Sequence, residues 1–161
     1  MKFNIILISI LLALSSCGYS MRGSVNVPSS VKSVSVMSNY YSELVSIINL
    51  SLVSSNIGTS KSKDNNIHRI VILSEKFDRR QLSINISGRV NEYELIYTVN
   101  FELKAPGKDI VQDEIILYRD YSFDENNIMG NSDREDYIKK GMMSTASTLI
   151  FNKLISSINK Q

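Results

Sequence analysis

The chain has 161 residues, of which 43% are hydrophobic and 21% charged, with a net charge of +2 at neutral pH, one cysteine and one histidine. That length carries one domain with a real core and not two comfortable ones. The near balance of charge excludes bulk nucleic-acid binding, which shows as a one-sided basic excess, while a lone thiol and a lone imidazole exclude an internal disulfide framework and a metal site built from soft ligands.

The chain opens with Met1 and Lys2, followed by FNIILISILLAL, residues 3–14, and then Ser15, Ser16 and Cys17. A charged start, a short apolar run and small residues before a cut describe a secretory signal. A spanning helix needs about 20 apolar residues, and this run stops too soon. Leu14-Ser15-Ser16-Cys17 resembles the bacterial lipobox, in which the processed chain begins with the cysteine and carries acyl groups on it. Residues 1–16 are thus expected to be removed and Cys17 to be the lipidation site. The alternative is a small buried or spare cysteine, which as an odd thiol in an exported protein asks for an intermolecular partner. Each buried methylene adds about 0.8 kcal/mol, so the three acyl chains of such lipoproteins make the tether effectively permanent. Gly18, and not Asp, follows the cysteine; by resemblance to lipoproteins of Gram-negative bacteria, this directs the protein to the periplasmic face of the outer membrane.

Residues 17–30 contain two Gly and a Pro without a sustained period and read as a spacer, leaving 31–161 as the folded domain. VKSVSVM, residues 31–37, reads as a first strand. From Tyr40 the apolar residues Tyr41, Leu44, Val45, Ile48 and Leu52 fall three and four apart, which predicts a helix over about 40–56. Residues 55–66 are polar and aperiodic and read as a surface loop. The second strand begins near His68 with IVIL and runs on past EKFDRR into LSINI, with a bend or bulge expected at Asp78–Arg80, where three charges interrupt the pattern. A turn is expected at Ser87 and Gly88.

The clearest signal is the third strand, in which Tyr93, Leu95, Tyr97, Val99, Phe101 and Leu103 alternate with mostly polar residues and so fix its buried face. Ala105-Pro106-Gly107-Lys108 has the chemistry of a type II turn. It leads into an antiparallel fourth strand over about 110–123. Ser132 and Glu135 form a capping box with acids in the first turn, so the last helix is expected to start near 133. Its stripe comprises Ile138, Met142, Ala146, Leu149, Ile150, Leu154 and Ile158. The order β-α-β-β-β-α predicts an α+β domain in two layers, with two helices on one face of a four-stranded, mostly antiparallel sheet.

Catalytic chemistry finds little support. A serine nucleophile needs a histidine base, His68 is the only one, and no Gly-x-Ser-x-Gly elbow exists. Asp124, Asn126 and Glu135 match positions 1, 3 and 12 of a calcium loop, but Ile128 and Met129 occupy positions that need a ligand and a glycine. No phosphate-binding or dinucleotide motif occurs, so no enzyme activity, metal or cofactor is expected. What remains is surface chemistry. Arg89, at the turn between strands two and three and flanked by Ile86 and Val90, suits a phosphorylated lipid: guanidinium grips phosphate in a bidentate fork while the neighbouring methyls meet acyl chains. Arg79 and Arg80 extend the same patch if the strand folds back that far. A solvated loop arginine is the alternative. Lys139 is expected to pair with Glu135 one helical turn away.

Several segments together resemble one family, the lipopolysaccharide-assembly lipoproteins, LptE. They are Cys17-Gly18-Tyr19 with Met21-Arg22-Gly23; Gly88 before Glu92-Tyr93-Glu94-Leu95; Pro106-Gly107-Lys108-Asp109; Arg119 with Tyr121 and Phe123; and a final helix with Glu135. The resemblance implies two helices on a four-stranded sheet. It also implies a complex with LptD, the outer-membrane β-barrel that delivers lipopolysaccharide to the cell surface, in whose lumen members sit as a plug, and lipopolysaccharide binding through basic residues near the far end of the sheet. The sequence departs from the pattern at Ile86 and Asn131, where basic residues are familiar in the family, and Arg89 stands close to the first. A stand-alone ligand-binding lipoprotein without a barrel partner is the rival reading, and a hydrolase using His68 a more distant one.

Overall fold

The structure is a computed structural model and describes residues 31–60 and 66–159; the expected signal peptide, Cys17 and the spacer lie outside the described residues. The elements are β1 (Ser33–Ser38), α1 (Glu43–Ser54), β2 (Gly58–Ser60), β3 (His68–Ile84), β4 (Val90–Lys104), β5 (Val111–Ser122) and α2 (Ile128–Asn159). The class is α+β with two helices, as expected. The sheet, however, has five strands in the order β2-β1-β3-β4-β5 and is mixed. β1 pairs parallel with both β2 and β3, whereas β3, β4 and β5 form an antiparallel meander. The extra strand lies in the segment expected to be a loop. Gly-Thr-Ser is too short to show a period, and it is held by the Gly58 N–H bond to the Lys32 carbonyl at 3.1 Å and by buried Ile57 beside it.

Side chains on alternate positions explain why the helices cover one face. All the odd positions of β4 from Leu95 to Leu103 are buried, and they meet Leu44, Ile48 and Leu52 of α1 and Met142, Ala146, Ile150 and Leu154 of α2 in one core. Each large apolar side chain so buried contributes about 1.5–3 kcal/mol. Helix α1 begins later than expected. Ser42 is its cap, its hydroxyl accepting the Val45 N–H at 3.0 Å, and Tyr41 stays outside, almost fully exposed.

The irregularity in β3 is not at Asp78–Arg80. Register is continuous there, with Asp78 opposite Ile96, Arg79 opposite Leu95 and Arg80 opposite Glu94. The charges are accommodated by alternation, since Arg79 shares the helix-facing side with Leu95 while Asp78 and Arg80 face away. The break comes earlier, at Leu73: Ile72 faces Phe101 but Ser74 faces Asn100, so Leu73 is an extra residue. A one-residue bulge exchanges the two faces of everything that follows. Ile70 and Ile72 point to the helices before it, and Glu75, Phe77, Arg79 and Gln81 after it.

Helix α2 starts at Ile128, so Ser132 and Glu135 lie inside it and form no capping box. Asn127 does the capping, its side-chain oxygen accepting the Gly130 N–H at 3.0 Å and its carbonyl the first helical bond, from Asn131 N at 3.0 Å. The helix then runs back along β5, from Arg134 bonded to the Ser122 carbonyl at 3.1 Å to Lys153 paired with Asp113. At its far end Lys108 donates to the Ser157 carbonyl at 2.6 Å, so the turn holding Gly107 at φ +69° also closes the helix C-terminus.

Candidate functional site

The β3–β4 turn forms one end of the sheet, and residue 31 enters at the other. The two ends are separated by the length of β3, whose 17 residues span roughly 55 Å at about 3.3 Å each. The turn is built by Asn85, whose side-chain oxygen accepts the N–H groups of Ser87 at 2.9 Å and Arg89 at 3.0 Å. Gly88 completes it at φ +76°, a conformation that side chains with a Cβ resist. This geometry presents Ile86 fully to solvent and leaves Val90 half-buried.

Arg89 does not stand alone. Its guanidinium pairs with Glu125 in the loop between β5 and α2, and the Phe123 N–H bonds to the Asn91 carbonyl at 2.7 Å, so two loops meet at this end. The second loop brings exposed Ile128 and Met129 beside exposed Ile84 and Ile86. Arg89 and the side chain at 86 were legible in the sequence. Glu125, Ile128 and Met129 were not, because only the folded register brings residue 125 to residue 89.

Arg79 faces α2. Its Nη1 donates to Glu135 Oε2 at 3.0 Å and reaches the Tyr121 hydroxyl at 3.5 Å, while its guanidinium lies 4.5 Å from the centre of the Tyr93 ring. Tyr121 donates to the same Glu135 oxygen at 2.7 Å, and Lys139 holds the other at 2.7 Å, the one ion pair anticipated from spacing. Burial works against the Glu135 carboxylate, yet the bonds from Lys139 and Tyr121 and the charges of Lys139 and Arg79 outweigh it and hold its pKa below the ordinary glutamate range. The Tyr121 bond, followed by the Glu135 charge, pushes Arg79 up. Arg80 lies on the opposite, uncovered face, where its Nε is 2.5 Å from Glu94 Oε2; the N–H is not aimed at that oxygen, so the contact is an ion pair without an aligned hydrogen bond.

The fold therefore does not bring the three arginines into one patch, and it gives each a resident carboxylate. Burial separates their roles. The Glu94 and Glu135 side chains are 11% and 18% exposed, so removing their arginines strands a largely buried charge, which costs on the order of 3–5 kcal/mol. Glu125 is 44% exposed, and exposed pairs are worth about 0–1 kcal/mol. Only Arg89 is cheaply released.

Other residues singled out in the sequence have structural places. His68 begins β3, with its pKa lowered by burial and then by Lys108. Asn131 is buried in the first turn of α2, where its amide accepts from the Asp124 N–H at 3.0 Å and donates to the Asp124 carbonyl at 2.6 Å. Asp124 and Asn126 thus shape a loop–helix junction. Among the described residues no His, Cys, Asp and Glu cluster is placed to hold a metal ion, and no helix is long and apolar enough to cross a membrane. A recess of about 490 Å³ between the start of α1 and α2 contains Glu75, which accepts from Tyr97 at 2.5 Å and Tyr40 at 3.3 Å. Burial, and then the Glu75 charge, push the Tyr40 hydroxyl up to about 12. These bonds tie the sheet to the entry of α1.

Comparison with known proteins gives concordant matches. Residues 31–154 match the family model described as LptE, lipopolysaccharide-assembly. The LPS-assembly lipoprotein LptE of Pectobacterium atrosepticum is 22% identical over 156 residues, covering 96% of this chain and 85% of that protein. The crystal structure of rare lipoprotein B from Shewanella oneidensis superposes with a TM-score of 0.72 at 28% identity, covering 78% of this chain and 95% of that one. The solution structure of a lipoprotein B from Nitrosomonas europaea gives a TM-score of 0.72 at 22% identity, over 89% of this chain and 94% of that one.

Proposed function

Because this chain belongs to the LptE family of lipopolysaccharide-assembly lipoproteins, we propose that it is held at the periplasmic face of the outer membrane by acyl groups on Cys17, fills the lumen of the LptD β-barrel, and assists delivery of lipopolysaccharide to the outer leaflet. The role is non-catalytic.

The observation that carries this reading is the uncovered face of the sheet. The helices take one side; the other presents Thr98, Asn100, Glu102 and Lys104 of β4 with Gln112 and Glu114 of β5. Asn100 bonds to Ser74 at 3.0 Å and Gln112 to Glu102 at 2.7 Å across this face, so it is a flat, hydrogen-bonding surface broken by the apolar side chains of Ile96, Ile116 and Tyr118. A barrel lumen is polar and asks for such a surface. Enclosure would bury far more than a standard interface of about 1,600 Å², which makes the partner obligate. An anchor on the side where residue 31 enters leaves the Arg89 end free to reach along the route of the glycolipid, where a guanidinium ringed by exposed apolar side chains fits phosphate and acyl groups together.

Depletion of the protein tests the role. Newly made lipopolysaccharide should fail to reach the cell surface within a few generations; unchanged surface labelling after complete depletion overturns the proposal.

A further inference from the structure

We propose that Glu125 is a built-in competitor for the phosphate of the lipid that Arg89 contacts, so that the Arg89–Glu125 pair is a resting latch which a phosphorylated lipid headgroup opens by exchange. The inference rests on the reading of Arg89 as a lipid contact and adds to it the group that sets its affinity.

Three features of the tip support it. The arginine nearest to exposed apolar side chains is also the one whose carboxylate partner is well hydrated, so Glu125 can return to water when displaced, whereas Glu94 and Glu135 cannot do so without stranding a charge. The pair joins two different loops, the β3–β4 turn and the β5–α2 loop, and the exposed apolar residues Ile84 and Ile86 lie on one side of it with Ile128 and Met129 on the other. An incoming headgroup that takes the guanidinium from Glu125 therefore lands between two apolar rims able to meet its acyl chains. A dianionic phosphate also outcompetes a single carboxylate for a guanidinium fork, since both bind bidentately and the phosphate carries more charge. The Arg89 backbone is fixed independently by Asn85, so releasing the side chain does not unmake the turn.

Binding of purified lipopolysaccharide to the detergent-solubilised full chain decides the matter, measured for the natural sequence, Glu125→Gln, Arg89→Ala and the double variant, with inorganic phosphate as a parallel titrant. Glu125→Gln should tighten lipopolysaccharide binding two- to five-fold, Arg89→Ala should weaken it, and the gain should vanish in the double variant. Inorganic phosphate at millimolar concentration should show no comparable gain, because it has nothing to offer the apolar rims. If Arg89→Ala weakens binding but Glu125→Gln changes nothing, the latch is overturned while Arg89 remains a lipid contact. If neither variant changes binding, both ideas fall. If inorganic phosphate alone reproduces the gain, the site takes a free anion and the lipid assignment is wrong.

Discussion

Arg79 Nη1 donates to Glu135 Oε2 at 3.0 Å, and this bond fastens the middle of the longest strand to the second turn of the longest helix. Tyr121 and Lys139 converge on the same carboxylate, so one acid joins β3, β5 and α2.

Replacing Glu135 with Ala should therefore destabilise the domain by about 2 kcal/mol, the scale for removing a hydrogen-bonded, largely buried charge partner. Glu125→Ala, which removes an exposed pair, should cost less than about 1 kcal/mol. Urea unfolding of the two variants, compared at their midpoints, checks the ranking; equal losses would show that burial does not separate the two pairs.

Stability should fall in two stages as the solution is acidified. His68 has its pKa lowered from an ordinary 6.5 by burial and by Lys108, so its contribution is complete above that value and is lost as pH falls through the depressed one. Asp113 is held low by the Lys153 bond, and Glu135 by Lys139 and Tyr121 against its burial; their contributions are complete above the usual carboxylate range and disappear as pH falls through the folded values. Melting temperature against pH should thus decline first below about 6.5 and again below about 4. His68→Gln should remove the upper step only, and Glu135→Gln should shrink the lower one.

Deletion of Leu73 should be far more damaging than any substitution there. Leu73 is the residue that exchanges faces along β3, so without it Glu75, Phe77 and Arg79 would turn away from the helices while Lys76 and Asp78 entered the core side. Loss of dispersed amide signals in a two-dimensional NMR spectrum is the expected result. A native-like spectrum would mean that the bulge relocates at little cost.

The same bulge shows where the sequence could be read and where it could not. The alternation from Tyr93 to Leu103 and the stripe Leu44, Ile48 and Leu52 are strong periodic signals, and both turned out as buried faces. The Gly107 turn and the Glu135–Lys139 pair are equally local, and local chemistry decided them. Three features escaped because they depend on distant partners. Gly58–Ser60 is a strand only because β1 lies beside it, Asn127 displaced Ser132 as a cap through its junction with Asp124, and three consecutive charges at 78–80 needed no bulge once Glu135 was available to Arg79. At the tip, Arg89 and Ile86 were visible in one segment. Their neighbours at 125, 128 and 129 came from another, and no period connects the two.

The most direct test of the central claim is affinity purification of the lipidated chain from detergent-solubilised outer membranes under mild conditions. Recovery of one large β-barrel protein in near-stoichiometric amount, resistant to high salt, is the expected result. Recovery of the chain alone, from membranes in which that barrel is intact and abundant, would contradict it.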